Sequence, residues 1–308
     1  MKGIVKTIKR YIHRAVAHLV AIVLRPGAVY DPENFRLWER RGYHITPLHF
    51  YHPIPDTREL ELRDLQQSEL PGIDLRPEFQ LKLMNEAFVK FSEEYNSLPI
   101  KPIDSDTFYL DNDAFGGIDP FIYYCMIRHF KPKTIVEVGS GYSTLLGVQA
   151  SRLSESTRYV CIDPWPREFI SRGIPNIEFI RQKAEDLDLN LFQQLQPNDL
   201  LFVDSSHVIR TAGDVCFNIL EVLPRLTKGV IVHFHDIFLP FDYPKEWILE
   251  RHLFWTEQYL LHAYLAENDH TEVLFANNFI SKKYPEEVRQ AFPNALWIGG
   301  GSFWIRKC

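Results

Sequence analysis

From residue 134 onward the chain alternates short apolar runs with helix-like stretches, and few folds accept that alternation. The runs are TIVEV (134–138), RYVCID (158–163), IEFI (177–180), LLFVD (200–204) and VIVHFHD (230–236). They are continuous and rich in β-branched residues, as expected of strands covered on both faces. Helical stretches lie between them, over 143–153, 165–173, 186–195 and 211–226. Strand, crossover, strand at these spacings builds right-handed βαβ units, so the pattern predicts a doubly wound parallel sheet. A long amphipathic helix over 245–267 follows. Two closing strands, EVLFA (272–276) and GSFWIRK (301–307), are expected to form an antiparallel pair, making a Rossmann-like α/β sheet of seven strands.

Three segments are expected: a basic amphipathic helix over 1–30, an irregular and helical extension over 31–112, and the α/β domain over 113–308. At 308 residues the chain is long enough for one large core with an extension. A net charge of −6 offers no basic stripe for a phosphate backbone, which argues against nucleic acid as a partner. Cys125, Cys161, Cys216 and Cys308 stand far apart with no C-x-x-C pair, which suggests buried thiols in a cytoplasmic protein.

In the first thirty residues Lys2, Lys6, Lys9, Arg10, Arg14 and Arg25 have no acidic counterpart. Ile4, Ile8, Ile12, Val16, Leu19 and Val23 recur at the period of one helix face. The apolar run is too short to span a bilayer. Such a helix packs on its own domain or on a second copy, or lies on an anionic membrane surface, which would place the protein at the inner membrane face. In the extension, aromatic and Pro-rich segments leave one convincing helix, over 77–95; His44, His49, Tyr51, His52 and Asp56 suit either a lid over an acceptor or an arm covering a sheet edge.

The turn after the first strand reads Glu137-Val138-Gly139-Ser140-Gly141-Tyr142-Ser143-Thr144. Glycines between a strand and a helix let a ligand approach the backbone at the sheet's carboxyl edge. A carboxylate two residues before Gly139 opposes a pyrophosphate and suits a cationic sulfonium. Asp163, 22 residues past Gly141, ends the second strand where an acidic side chain accepts ribose hydroxyls. The dinucleotide fingerprint fails, because Thr144 stands where its third glycine belongs.

With Glu137-x-Gly139-x-Gly141 the chain resembles the class I S-adenosylmethionine-dependent methyltransferases. Through IVEVGSGYST, LLFVDSSH, GVIVHFHDIFLPFDYP and GGGSFWIRK it is most similar to the bacterial methyltransferase family 24 group, and HITPLHFYHPIPD, SELPGIDL and FGGIDP extend the likeness over nearly the whole chain. The resemblance implies S-adenosylmethionine as cofactor, held by Glu137, Gly139, Ser140, Gly141, Ser143 and Asp163, with Glu185 near the adenine and Asp204 near the methionine end. It implies methylation of a small acceptor, with O-methylation of a sugar or glycoconjugate precursor expected first. N-methylation and a catalytically silent cofactor-binding partner in polysaccharide assembly stand as alternatives.

Methyl transfer to a hydroxyl needs alignment and a route for the proton. Asp204-Ser205-Ser206-His207 and His233-Phe234-His235-Asp236 close the fourth and fifth strands and supply the candidates: His207, His235 and Asp204 for catalysis, with His207 or His235 as a metal-free general base. Related metal-dependent O-methyltransferases hold Mg²⁺ on an aspartate at each of these strand ends with a third Asp or Asn. Asp204 and Asp236 match the two, but residue 237 is Ile, so a divalent metal here would need histidine. FLPFDYP (238–244) and the rings of Trp247, Trp255 and Tyr259 are expected to wall the acceptor pocket.

Overall fold

The computed structural model describes residues 2–63, 65, 67–153 and 157–308. These divide into two compact units, one within 1–64 and one within 65–308.

The first unit is helical. α1 (Lys2–Val23) forms over the predicted amphipathic stretch. Its apolar face stands open: Ile12 is 55 % exposed, Leu19 62 % and Val23 67 %. Short helices follow at Pro26–Tyr30, Pro32–Arg40 and Thr57–Leu62. The last two are capped as their sequences dictate: Asp31 accepts from the N–H groups of Glu33 and Asn34, and Asp56 from that of Arg58. The Pro-rich stretch 44–56 stays irregular, its rings of His49, Phe50 and Tyr51 packed on one another and largely exposed. No helix of the described residues is long and apolar enough to cross a membrane.

In the second unit β1 (Thr134–Val138), β2 (Arg158–Ile162), β3 (Ile177–Ile180), β4 (Leu200–Val203) and β5 (Ile231–Phe234) run parallel. β6 (Thr271–Ala276) and β7 (Phe303–Lys307) close the sheet, with β7 antiparallel to both β5 and β6. The order is β3-β2-β1-β4-β5-β7-β6, the expected seven-stranded sheet with its antiparallel terminal pair. The order reverses at β1, so the carboxyl ends of β1 and β4 splay around the crevice where ligands bind in such sheets.

α2 (Asp119–Phe130) and α3 (Tyr142–Ser151) pack together beside β1. The expected helix over 77–95 is a continuous rod of α, π and 3₁₀ turns from Pro77 to Asn96, fixed to the sheet edge where Gln80 accepts from the Ala276 N–H. The helix expected over 245–267 is two: Lys245–Leu249, and α4 (Glu257–Leu265). Between them His252 adopts φ 55, and the Thr256 N–H donates to the carbonyl of His207 at 2.8 Å. That outside acceptor breaks the helix. The connection 277–300 holds two helices, α5 (Asn277–Lys283) and Pro285–Ala291.

Candidate active site

The turn after β1 is as tight as its glycines imply. Gly139 sits at φ +87, and a Cβ there would lie 1.7 Å from the carbonyl oxygen of Asp204, so only glycine fits. Ser140 donates its N–H (3.1 Å) and hydroxyl (2.7 Å) to one carboxylate oxygen of Asp163, and the Trp165 N–H reaches the other at 2.8 Å. The bent loop and the end of β2 are thereby tied together. Ser206 ties the end of β4 in the same way, donating its N–H and hydroxyl to Asp214 at 2.8 and 2.7 Å.

These ends enclose a cavity of about 350 Å³ lined by Gly139, Ser140, Asp163, Trp165, Glu185 and Asp204. That volume lies within the range of small-molecule sites, roughly 300–1,000 Å³. Glu137 and Ser143 are elsewhere. Their side chains face the core, where the Ser143 hydroxyl donates to Glu137 at 2.6 Å, the Tyr159 hydroxyl at 2.8 Å and the Cys161 thiol at 3.5 Å. Burial drives the Glu137 pKa up to about 7 against these donors. The expectation that Glu137 faces the ligand is therefore corrected: the carboxylate braces β1, β2 and α3. Gly141 caps the start of α3, its N–H donating to Thr144 Oγ1 at 3.0 Å.

At the ends of β4 and β5, four side chains converge. His207 Nε2 lies 3.2 Å from Asp204 and 3.7 Å from Asp236; His235 Nδ1 lies 3.7 Å from Asp204 and 3.6 Å from Asp236. The far nitrogen of each imidazole is held by a buried carboxylate. His207 Nδ1 is 2.8 Å from Glu257, the first residue of α4, and His235 Nε2 is 3.2 Å from Asp119, the first residue of α2. Two of the four, His207 at φ 59 and Asp236 at φ 55, hold the left-handed conformation that side chains other than glycine rarely adopt. Backbone strain is concentrated here.

Burial works against charge on His207, but hydrogen bonds to Asp204 and Glu257 outweigh it and raise its pKa to about 10. Burial is likewise outweighed at His235 by the charges of Asp236 and Asp204, and that imidazole too is pushed well up. At Asp204, half-buried at the cavity, burial again works against charge, but the facing His235 and His207 hold the carboxyl well below the usual range. Both rings are thus biased toward the protonated form, against the expectation of an imidazole near 6.5. His233 is core, its ring 3.9 Å from that of Phe202 and its Nε2 2.8 Å from Ser302 Oγ.

A second cavity, about 550 Å³, opens on the far side of the cluster, where His235, Asp236, Phe238, Trp247, Lys282 and Trp297 line it. Phe238, Asp242 and Pro244 of the FLPFDYP segment do wall it; Trp255 instead lies against His207, ring centroids 4.3 Å apart. Asp119, Glu257, Lys282 and Trp297 escaped sequence reading. Asp119 carries a signal in the FGGIDP motif. Glu257 carries none, since an acid in a helix's first turn is ordinary.

Residues 136–237, spanning β1 to β5 and the ends that shape both cavities, match the family model described as "Methyltransferase domain", family 24. Over that span the chain is similar to methyltransferase domains. That match agrees with the methyltransferase expected from the sequence. An uncharacterized protein of Archaeoglobus fulgidus is 29 % identical over 199 residues, which cover 60 % of this chain and 86 % of that one. Among solved structures, the O-methyltransferase TomG of Streptomyces achromogenes is 17 % identical with a TM-score of 0.36, covering 72 % of this chain and 89 % of TomG. An O-methyltransferase of Bacillus cereus is 15 % identical with a TM-score of 0.33 and the same coverage of 72 % and 89 %.

Proposed function

We propose that this methyltransferase transfers the methyl group of S-adenosylmethionine to a hydroxyl of a small acceptor such as a sugar or glycoconjugate precursor. The observation that carries the reading is the position of the cluster: Asp204 borders the first cavity, while His235 and Asp236 border the second. A donor on one side and an acceptor on the other would meet across these four side chains. In this reading Gly139 and Ser140 face the methionine end, Asp163 the ribose and Glu185 the adenine. Trp165, 78 % exposed at the rim, covers the adenine face.

An amine acceptor needs little beyond positioning, whereas a hydroxyl must lose its proton during in-line displacement. The cluster suits the hydroxyl. Asp236 takes the proton, and the side of the cluster formed by His207 and His235 stabilises the oxygen as negative charge develops on it. Trp247 and Trp297 supply flat apolar walls for a ring-shaped acceptor.

The test is thermal unfolding with S-adenosylhomocysteine and, separately, NAD. At a hundred times its dissociation constant S-adenosylhomocysteine adds about 2.7 kcal/mol, and Asp163→Ala removes most of that gain. Stabilisation by NAD alone sinks the reading. Labelled cofactor offered with hydroxylated and amine acceptors then separates O- from N-methylation, and the absence of any product would leave a silent binding module.

In the same proposal α1 lies in the plane of an anionic bilayer. Its apolar face is exposed, and Lys6, Lys9, Arg10 and Arg14 meet no acid within the helix. Sedimentation with phosphatidylglycerol-containing vesicles, but not with phosphatidylcholine alone, is the expected result. Equal binding by a chain with Ile12→Asp and Leu19→Asp rejects it.

A further inference from the structure

We infer that the cluster of Asp204, His207, His235 and Asp236 is a binding site for one divalent transition-metal ion, with imidazole as well as carboxylate ligands. This deepens the proposed O-methylation, on which its catalytic meaning rests. Three observations carry it.

The first is spacing. Ligand atoms of Asp204, His207 and Asp236 all lie within 4.8 Å of one another. The nitrogen-to-oxygen separations of 3.2, 3.6, 3.7 and 3.7 Å across the cluster are mostly too long for hydrogen bonds. Two ligands each about 2.1 Å from a common ion are roughly 3.0–3.4 Å apart in tetrahedral or octahedral arrangement. Asp204, His207 and Asp236 stand near the vertices of such a polyhedron, and His235 Nδ1 lies beside the same two aspartates.

The second is orientation. Glu257 on His207 Nδ1 and Asp119 on His235 Nε2 accept hydrogen bonds, so each ring's other nitrogen is turned toward the two aspartates. A histidine that ligates a metal is held in this way, its remote N–H donated to a carboxylate. Asp119 is itself fixed: Asn277 Nδ2 (2.6 Å), the Gly301 N–H (2.9 Å) and the Ser302 N–H (3.1 Å) all donate to it. The chain can lie this close only because residue 300 is glycine, where a Cβ would fall 2.1 Å from the Asp119 carboxylate. The GGGS segment is thus accounted for as the cradle of a positioning residue.

The third is charge. The carboxyl groups of Asp119, Asp204, Asp236 and Glu257 all face the two imidazoles. A divalent ion bound by the neutral rings supplies positive charge to this acidic cluster in place of ring protons. Mixed nitrogen and oxygen ligands select Mn²⁺, Fe²⁺, Co²⁺ or Zn²⁺ over Mg²⁺, which prefers oxygen alone. The ion would supply Lewis acidity toward an acceptor hydroxyl at Asp236.

The experiment uses the full chain dialysed against a chelator, then given Mn²⁺, Co²⁺, Zn²⁺ or Mg²⁺ alone. Expected are one equivalent of Co²⁺ per chain with a visible absorption band, and a rise in unfolding temperature with Co²⁺, Mn²⁺ or Zn²⁺. His207→Ala abolishes both, and Glu257→Gln weakens Co²⁺ binding about 10- to 100-fold. Stabilisation by S-adenosylhomocysteine, measured on each variant, certifies that it is folded. Failure of all four ions to bind, binding of Mg²⁺ alone, or Co²⁺ binding indifferent to His207→Ala overturns the inference. Full methyl transfer by the chelated protein also overturns it while leaving the methyltransferase reading intact. Co²⁺ uptake without binding of S-adenosylhomocysteine does the reverse.

Discussion

The first cavity takes its walls from neighbouring strand ends and the turns that follow them, between residues 138 and 214, whereas the cluster beside it gathers residues from 119 to 257. Backbone geometry makes the one: a turn that only glycine can occupy, and an aspartate tied to the loop opposite. Opposed charges make the other: four carboxylates and two imidazoles, with strained backbone at His207 and Asp236. A ligand site built from consecutive turns tolerates side-chain replacement at its rim. One built from remote charges depends on every member.

The sharpest way to break that contrast is His207→Ala. Methyl transfer should fall by about 10²–10⁴-fold, the usual worth of a group that manages a reacting proton or its charge. Stabilisation by S-adenosylhomocysteine should persist. Equal loss of both would mean that the cluster and the first cavity are one energetic unit.

Next in size is Glu137→Gln, which asks whether the carboxylate beneath the glycine turn braces the fold without touching a ligand. Its pKa is raised from 4.5 to about 7 in the folded protein, so the native state keeps a proton that the unfolded chain releases. Its contribution is most favourable below pH 4.5, and falls by about 3 kcal/mol as pH rises to 7, staying level above. Urea unfolding at pH 5 and pH 8 should show the variant gaining on the parent at the higher pH. A constant difference would place an unperturbed carboxylate there.

The smallest effect sharpens the contrast from the acceptor side. Trp247→Ala should raise the acceptor KM by roughly 3- to 10-fold, corresponding to about 0.5–1.5 kcal/mol for a lost aromatic contact, with the S-adenosylmethionine KM unchanged. Movement of the cofactor KM would show that the second cavity also serves the donor.

Sequence reading captured what is local. Each strand forms where its apolar run predicts, and Asp163 and the strand-end histidines and aspartates fall on the sheet's carboxyl edge because strand position alone puts them there. Glu137 misled because its spacing from Gly139 says nothing of which way the side chain turns; Ser143, Tyr159 and Cys161 claim it inside the core. Helix 245–267 misled because its apolar period runs on through 250–256, while the carbonyl of His207, 49 residues before Thr256, captures the backbone there. Asp119 and Glu257 acquire meaning only when the sheet brings them to His235 and His207, 116 and 50 residues away.

The close approach at Gly139 has a bearing on how the acceptor range of such an enzyme changes. The main chain of the loop touches the carbonyl of Asp204, and the Asp204 N–H donates to Val138 at 2.8 Å. Loop and strand end are therefore locked like two teeth of one gear, and in the proposed reaction the gap between methyl donor and acceptor is gauged by peptide units. Under that proposal, substitutions among the outer aromatic walls refit the pocket to new acceptors while that gauge stays set.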